Sequence, residues 1–162
     1  IMDARVVDEN FSARRNATSR VYRYFINTGK PFASQMRYVW PIHYRPDIEK
    51  LNKMAECLHG EIDCSTFAAA GDQSVSMFRY IDDAHFFYEG ENLVFQIEAN
   101  AFLWKMVRSI TGSLIYFERM GKDAEFFKKV LESKERKNAG PTAPAKGLFL
   151  HEIKFDGTRR HI

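Results

Sequence analysis

One arginine in the sequence lies in an apolar stretch where its charge needs a partner. Apolar residues recur with helical spacing over residues 102–120, and on that predicted helix Arg108 lies nearly opposite the widest apolar face. Gly112 and Ile115 lie on its own side, so we predict a helix that packs on two sides and buries Arg108 in part. A buried guanidinium requires an anion. That anion is either a local carboxylate in a structural ion pair or an acidic group of a functional site.

A second candidate is an aromatic and basic segment near the N-terminus. Residues 11–46 include seven Lys or Arg residues, eight aromatic residues and no Asp or Glu. Residues 19–27 are predicted to form a strand, whose side chains alternate between two faces. One face then carries Arg20, Tyr22, Tyr24 and Ile26. Cations that neutralise phosphates, next to rings that stack on bases, are typical of an RNA-binding surface. The other interpretation is a basic strand pair whose aromatic residues belong to the core.

A third candidate is the loop over residues 139–147, which is small, stiff and carries little charge. Pro141 and Pro144 fix φ in this loop, and Gly140 and Gly147 allow close backbone packing. Such a loop either lines a site or makes a tight connection into the last strand.

The elements that must position these residues alternate in type. Extended segments are predicted over residues 4–16, 19–27, 77–88, 93–99 and 148–155, and helices over residues 47–58, 102–120 and 123–133. This order predicts an α+β fold, a mainly antiparallel sheet with helices packed against it. A sheet edge that begins at residue 4 would be exposed unless another segment covers it. The sequence begins with Ile1 rather than Met, and we expect it to be part of a longer chain.

Composition argues against several classes of protein. Apolar residues make up 45% of the 162 residues, which favours one packed domain over a disordered chain. No apolar run reaches the roughly 20 residues of a membrane span. Cys57 and Cys64 lack the second pair that a zinc site needs, so we expect two reduced thiols. The histidines form no metal-binding motif: His43, His59, His85, His151 and His161.

Charge is distributed unevenly along the chain. The net charge is +3, but residues 61–100 contain one basic residue and eight acidic ones. The segments on either side are both basic, which again suggests an anionic partner for part of the surface.

Together these segments resemble the tRNA pseudouridine synthases of the TruA type. Four motifs of that family occur in order: F-x-A-R at residues 11–14, R-x-Y-x-Y at 20–24, A-N-A-F with M-V-R at 99–108, and A-G-P-T-A-P-A-x-G-L-x-L at 139–150. The resemblance covers nearly the whole chain, and the last motif and the Met-Val-Arg helix are its most specific parts. The departures are peripheral: Cys64 replaces the first Phe of D-F-x-x-F, Glu135 stands where Asp is usual, and residues 117–121 differ from a V-G-x-G turn.

The resemblance implies a fold and a reaction. It implies the C-terminal half of the pseudouridine synthase fold, with residues 1–162 as the C-terminal domain, and the conversion of uridine to pseudouridine in the tRNA anticodon stem-loop. The family's nucleophile is an aspartate in an R-T-D-x-G-V-H run upstream of F-x-A-R. None of the nine aspartates in this sequence has that setting. We therefore expect that the N-terminal domain with the nucleophile is absent here and that this fragment alone is inactive.

Residue roles follow from the same resemblance. Arg108 matches the arginine that pairs with the nucleophilic aspartate, Tyr22 matches the active-site tyrosine that stacks on the target base, and Leu148 matches an apolar residue of the pocket. By charge and position, the candidates for phosphate contact are Arg14, Arg20 and Arg23.

The resemblance also implies what the protein works with. We expect no metal and no organic cofactor, tRNA as the substrate, a homodimer, no membrane partner and a cytoplasmic location. Three other interpretations stay open: a noncatalytic RNA-binding module, a pseudouridine synthase acting on other tRNA positions, and a scaffold domain whose basic stretch is incidental.

Overall fold

The structure, a computed structural model, describes residues 4–158 and residue 160. Ile1, Asp3 and His161 lie outside the described residues. Within the described part the strands are β1 (Ser19–Asn27), β2 (Trp40–Pro41), β3 (Gly60–Asp63), β4 (Phe78–Glu89), β5 (Asn92–Ala99) and β6 (Leu148–Lys154). The α-helices are α1 (Ile48–Ala55), α2 (Met106–Arg119) and α3 (Ala124–Glu132).

The sheet is mostly antiparallel, so the predicted α+β fold class is confirmed. Its strand order is β2-β1-β5-β4-β3, and β6 pairs with β1 as well. Strand β1 pairs with β5 along one edge and with β6 along the other, where β2 adds a short parallel pairing at Ile26 and Asn27. A register shift between Val21 and Tyr22 interrupts the β1–β6 pairing. Strand β1 therefore lies inside the sheet, with backbone partners on both sides.

The hairpin of β4 and β5 is confirmed within one residue at each end. Its tight turn contains Gly90 with φ of 60°, a left-handed conformation that glycine adopts without a steric penalty. Phe86 and Phe95 face each other across the two strands with ring centroids 4.6 Å apart. Such an aromatic pair stabilises a sheet by about 0.5–1.5 kcal/mol beyond its buried area.

The helices begin where acidic capping residues precede apolar turns. The Asp47 carboxylate accepts a hydrogen bond from Lys50 N at 3.1 Å, and the Asp123 carboxylate accepts one from Phe126 N at 2.9 Å. Each cap contributes about 1 kcal/mol. Helix α1 continues as one 3₁₀ turn over Glu56–Leu58, so the predicted helix is confirmed to its end. Helices α2 and α3 both contact α1.

Two predicted elements differ from the structure. Residues 4–16 form no strand: turns occupy residues 9–10 and 13–15, where short-range hydrogen bonds such as Phe11 N to Asp8 O and Asn16 N to Ser12 O satisfy the backbone locally. No strand therefore begins at residue 4. Helix α2 starts four residues later than predicted, because Lys105 takes a left-handed conformation with φ of 60°. The short strands β2 and β3 were not predicted.

Helix α2 is buried along most of its length, which confirms that it packs on two sides. Its enclosed residues include Met106, Ile110, Leu114 and Ile115, and also the polar Ser109, Thr111 and Ser113. The hydroxyl groups of Thr111 and Ser113 each donate a hydrogen bond of 2.7 Å to the backbone carbonyl one turn earlier in the helix. No helix in the described part of the chain is long and apolar enough to span a membrane.

Candidate active site

Tyr22 stands on the core-facing side of β1. Tyr24 and Ile26 are fully buried on the same side, as the alternation of the strand predicted. Tyr22 itself is half-buried, and its ring meets Phe102 edge to face with centroids 5.0 Å apart. Within the described residues its hydroxyl has no hydrogen-bond partner. The geometry therefore holds the ring from one side and leaves the hydroxyl available.

Arg108 extends from the first turn of α2 and is half-buried. Its Nε donates to the Ala143 carbonyl at 2.8 Å, which fixes the plane of the guanidinium. Among the described residues no carboxylate lies within ion-pair distance of it, so a structural ion pair with a local acid does not account for its charge. The site offers a positive charge that is oriented by the backbone and open to an anion.

The 139–147 loop is docked tightly against α2. Ala143 N donates to Arg108 O at 3.0 Å, and Gly140 N donates to the Ser113 hydroxyl at 2.9 Å. At Gly112 a Cβ atom would lie only 1.9 Å from the Pro141 carbonyl oxygen, so this contact requires glycine. Gly112 therefore permits the close approach of the loop, which lines the site as well as leading into β6.

Arg136 provides further hydrogen bonds to the same loop. Its guanidinium donates to the Gly140 carbonyl at 3.1 Å and to the Thr142 hydroxyl at 2.9 Å. Arg136 was not among the candidate residues that the sequence indicated. A fork of donors aimed at two loop atoms gives the residue a clear structural task.

Leu148 connects this loop to the tyrosine strand. It opens β6 opposite Tyr24 in register and packs, half-buried, against the core. The Tyr24 hydroxyl donates to the Pro144 carbonyl at 2.6 Å, and a Cβ on Gly147 would meet the Tyr24 ring at 2.8 Å. Burial raises the pKa of Tyr24, and the charge of Arg108 lowers it in part. Tyr24 therefore stays a neutral hydrogen-bond donor that ties the loop to β1.

The three arginines predicted to contact phosphate do not lie together. Arg14 and Arg20 line one pocket, where Arg20 donates to the carbonyls of Arg14 and Asn100 at 2.7 Å each. Arg23 points to the other face of the sheet, where it bonds Gln96 at 2.8 Å. Strand alternation separates them, because Arg23 is an odd number of residues from Arg20.

Sequence reasoning missed two further arginines of that pocket, Arg79 and Arg160. Arg79 had a detectable signal, since it is the single basic residue among residues 61–100. Asn100 joins the pocket together through bonds to Tyr80 N at 3.0 Å and to Arg160 O at 3.1 Å.

The cysteines play no part in this geometry. Both are free thiols, as predicted, and Cys64 is buried while Cys57 is half-buried. Burial raises the pKa of Cys64 to about 12, so it is an unreactive thiol at neutral pH. No group of three His, Cys, Asp or Glu residues in the described ranges is placed to hold a metal ion.

Comparison with known proteins identifies the family. Residues 54–156 match the sequence profile described as tRNA pseudouridine synthase, which is more than half of the chain. The chain belongs to the tRNA pseudouridine synthase family. The matched region includes Arg108 and Leu148, whereas Tyr22 lies before it.

Curated relatives agree with that assignment. The tRNA pseudouridine synthase A of Treponema denticola is 54% identical over 156 residues, which are 96% of this chain and 58% of that protein. The protein of the same name from Treponema pallidum strain Nichols is 45% identical over 142 residues, 87% of this chain and 51% of the relative. The one from Borreliella afzelii is 36% identical over 157 residues, 96% and 64% respectively. The chain thus spans roughly half to two thirds of the length of each of these relatives.

Proposed function

We propose that this chain supplies the C-terminal domain, residues 1–162, of an enzyme that converts uridine to pseudouridine in the anticodon stem-loop of tRNA. The observation that carries the proposal is the half-buried Arg108, whose guanidinium is fixed by Ala143 and has no carboxylate partner among the described residues. The names of the curated relatives support tRNA as the substrate. The anticodon stem-loop follows from the resemblance of the motifs.

The reaction exchanges one bond of the nucleotide for another. An aspartate attacks the nucleotide, the bond between N1 of the base and C1′ of the ribose breaks, and the base turns. A bond then forms between C5 and C1′ as the bond to the aspartate breaks, C5 loses its proton, and N1 gains one, so the product is an isomer of the substrate and the aspartate is regenerated. We assign the aspartate to a part of the enzyme that this sequence does not contain. No metal or organic cofactor enters the scheme.

Arg108 would hold that aspartate in place and keep it ionised. A neighbouring guanidinium lowers the pKa of a carboxyl group, because it stabilises the charged form. Its fixed orientation on Ala143 O leaves the remaining N–H donors for the carboxylate. The ion pair between Arg108 and this aspartate would orient the nucleophile, with only its basic member supplied by this chain.

Tyr22 and Leu148 would hold the target base. Reaching a base inside a stem requires turning it out of the helical stack, which costs a few kcal/mol. Stacking on an aromatic ring returns about 1–3 kcal/mol of that cost. The Tyr22 ring is braced by Phe102 at 5.0 Å, and its unpartnered hydroxyl is available for the C5 proton. Leu148 supplies apolar contact beside it.

The test is substitution of Arg108 in the complete enzyme. Arg108→Ala should reduce turnover by about 100-fold or more, because it removes the group that orients the nucleophile, and should change tRNA affinity little. Arg108→Lys is the matched control, since it keeps the charge but loses the planar fork, and it should recover part of the activity. Equal losses of turnover and of tRNA affinity would make Arg108 an RNA contact and refute the pairing.

A second substitution separates the two tasks of Tyr22. Tyr22→Phe keeps the ring and should keep tRNA affinity, while release of the C5 proton slows. Tyr22→Leu should also weaken binding of the flipped base. Turnover at the wild-type rate in Tyr22→Phe would show that the hydroxyl has no role.

Two coarser features of the enzyme are proposed with it. A cytoplasmic location follows from tRNA as the substrate and agrees with the free thiols Cys57 and Cys64. A homodimer follows from the resemblance, and light scattering of the complete enzyme tests it. A monomer at micromolar concentration would contradict that part alone.

A further inference from the structure

A second concave surface lies apart from Arg108. It is a pocket of about 660 Å³ between the segment before β1, the start of β4 and Arg160. Its lining includes Arg14, Arg20, Arg79 and Arg160, and none of the described lining residues is acidic. We call it the arginine pocket. Four guanidinium groups around one cavity create a positive potential that is strengthened by the low-dielectric walls.

Arg79 is the most unusual member of the pocket, because it is 7% exposed. Its Nη1 donates to the Ser76 and Phe78 carbonyls, whereas its buried Nε has no hydrogen-bond partner among the described residues. A buried, unpaired donor on a charged group is costly in a folded protein and calls for an explanation. A bound ligand that accepts hydrogen bonds from Arg79 would account for this arrangement.

The acids near Arg79 do not serve this purpose. Asp72 is the carboxylate whose charge acts on it, but Asp72 accepts hydrogen bonds from Ser74 N and Trp104 N instead. No ion pair joins Arg79 to an acid in the described ranges. Burial lowers the pKa of Arg79, and without a bound anion the group carries its charge at an energetic disadvantage.

The rest of the pocket is built in advance. Asn100 accepts from Arg20 and donates to the Arg160 carbonyl, and the Arg160 guanidinium lies 3.5 Å above the Tyr80 ring centroid. Arg160 is also paired with Asp82 outside the lining. The Arg20 guanidinium also donates to the carbonyls of Ala17 and Arg14. Donors fixed in this way bind an anion with little further loss of conformational freedom.

We propose that the arginine pocket binds one phosphate of the RNA backbone, with Arg79 as its buried donor. The inference rests on the proposed tRNA substrate and adds a binding site separate from the catalytic group. Guanidinium forks match phosphate oxygens in two-bond geometry, and a lining without acidic residues in its described part favours an anionic group such as a phosphodiester. A bound phosphate here would orient the tRNA on the face of the sheet that carries Tyr22.

The experiment compares charge removal inside and outside the pocket. Binding of tRNA to the 162-residue chain is measured over a series of KCl concentrations for wild type, Arg79→Gln, Arg14→Gln and the control Arg119→Gln. Arg119 is exposed at the end of α2 and outside the pocket. Each pocket variant should lower affinity roughly 10-fold, as loss of a charged hydrogen bond does. It should also reduce the magnitude of the slope of log K against log salt by about one, the change expected for the loss of one phosphate contact. The control should leave both unchanged.

Two additions keep the outcome clear. Arg79→Lys retains the charge, so it should fold, keep most of the salt slope and lose part of the affinity. Circular dichroism checks that Arg79→Gln folds. If it does not fold, Arg14→Gln provides the test, because Arg14 is exposed. Inorganic phosphate is the second probe, and it should displace tRNA more than chloride of equal ionic strength does in wild type but not in Arg79→Gln. Phosphate binding that depends on Arg79 while Arg79→Gln binds tRNA normally would assign the pocket to a free anion and overturn the proposal.

Failure of the inference and failure of the proposed function give different results. If the pocket variants bind tRNA like Arg119→Gln, the pocket assignment is wrong and the tRNA substrate stands. If the wild-type chain shows no salt-sensitive tRNA binding, the RNA assignment of the pocket falls together with the RNA-binding part of the proposed function.

Discussion

Replacing Gly112 by alanine inserts a methyl group into the contact between α2 and the 139–147 loop. The new Cβ would lie 1.9 Å from Pro141 O and 2.7 Å from Ala143 N, and both are backbone atoms that cannot rotate away. The loop must retreat, which strains its two bonds to Arg108, one from Ala143 N and one to Ala143 O. The perturbation therefore acts on the loop that orients the proposed catalytic guanidinium.

The expected loss of stability in Gly112→Ala combines three effects. Overpacking costs about 1–3 kcal/mol, and two weakened hydrogen bonds add about 1 kcal/mol each. Alanine favours the helix over glycine by about 1 kcal/mol, which opposes them. The net loss for Gly112→Ala is about 2–4 kcal/mol, and the melting temperature should fall by roughly 4–16 °C.

Urea and thermal unfolding followed by circular dichroism measure this loss. Gly29→Ala is the matched control, because its Cβ would meet only the flexible end of the Glu91 side chain. The control should change stability by less than about 0.5 kcal/mol. If Gly112→Ala is as stable as wild type, α2 and the loop are not packed as tightly as described, and the positioning of Arg108 by that loop is wrong.

Three further predictions concern the same framework. Tyr24→Phe removes the 2.6 Å hydrogen bond to Pro144 O and leaves that carbonyl unpaired. The free energy of unfolding should therefore fall by about 1–2 kcal/mol, seen as a lower urea midpoint with an unchanged slope. The pKa of Cys64 is raised to about 12 from an ordinary 9.0 in the unfolded chain, so its contribution to stability is complete below pH 9.0 and is lost as pH rises toward 12; a melting temperature that stays constant over that range would contradict its burial. Arg23→Gln should reduce tRNA affinity less than Arg14→Gln in a salt titration, because Arg23 lies on the opposite face and is already bonded to Gln96.

The periodic spacing of apolar residues predicted the longer strands and helices. Strand β1, the β4–β5 hairpin, α1 and α3 follow from alternation, helical spacing and the caps Asp47 and Asp123, and the structure confirms them. The wrong N-terminus of α2 has a different cause. Residues 102–105 carry an apolar pattern that fits a helix, but Asp72 binds Trp104 N and Ala69 binds Trp104 O, and these contacts come from far along the chain.

The site was predictable only where its residues share one element or one motif. Tyr22 and Tyr24 on one face of β1, and the half-buried Arg108, were accessible from strand alternation and the helical wheel. The arginine pocket was not, because Arg20, Arg79 and Arg160 come from three distant segments that only the sheet brings together. The separation of Arg23 from Arg20 follows from the alternation that the sequence predicts for β1.

The most direct test of the central claim uses tRNA tritiated at uridine C5 and the 162-residue chain alone. The claim is that Arg108, Tyr22 and Leu148 form part of a site whose nucleophilic aspartate lies outside this sequence. It predicts tRNA binding that weakens with salt and no release of tritium above background. Release of tritium by this chain would mean that one of its own aspartates is the nucleophile, and it would contradict the account.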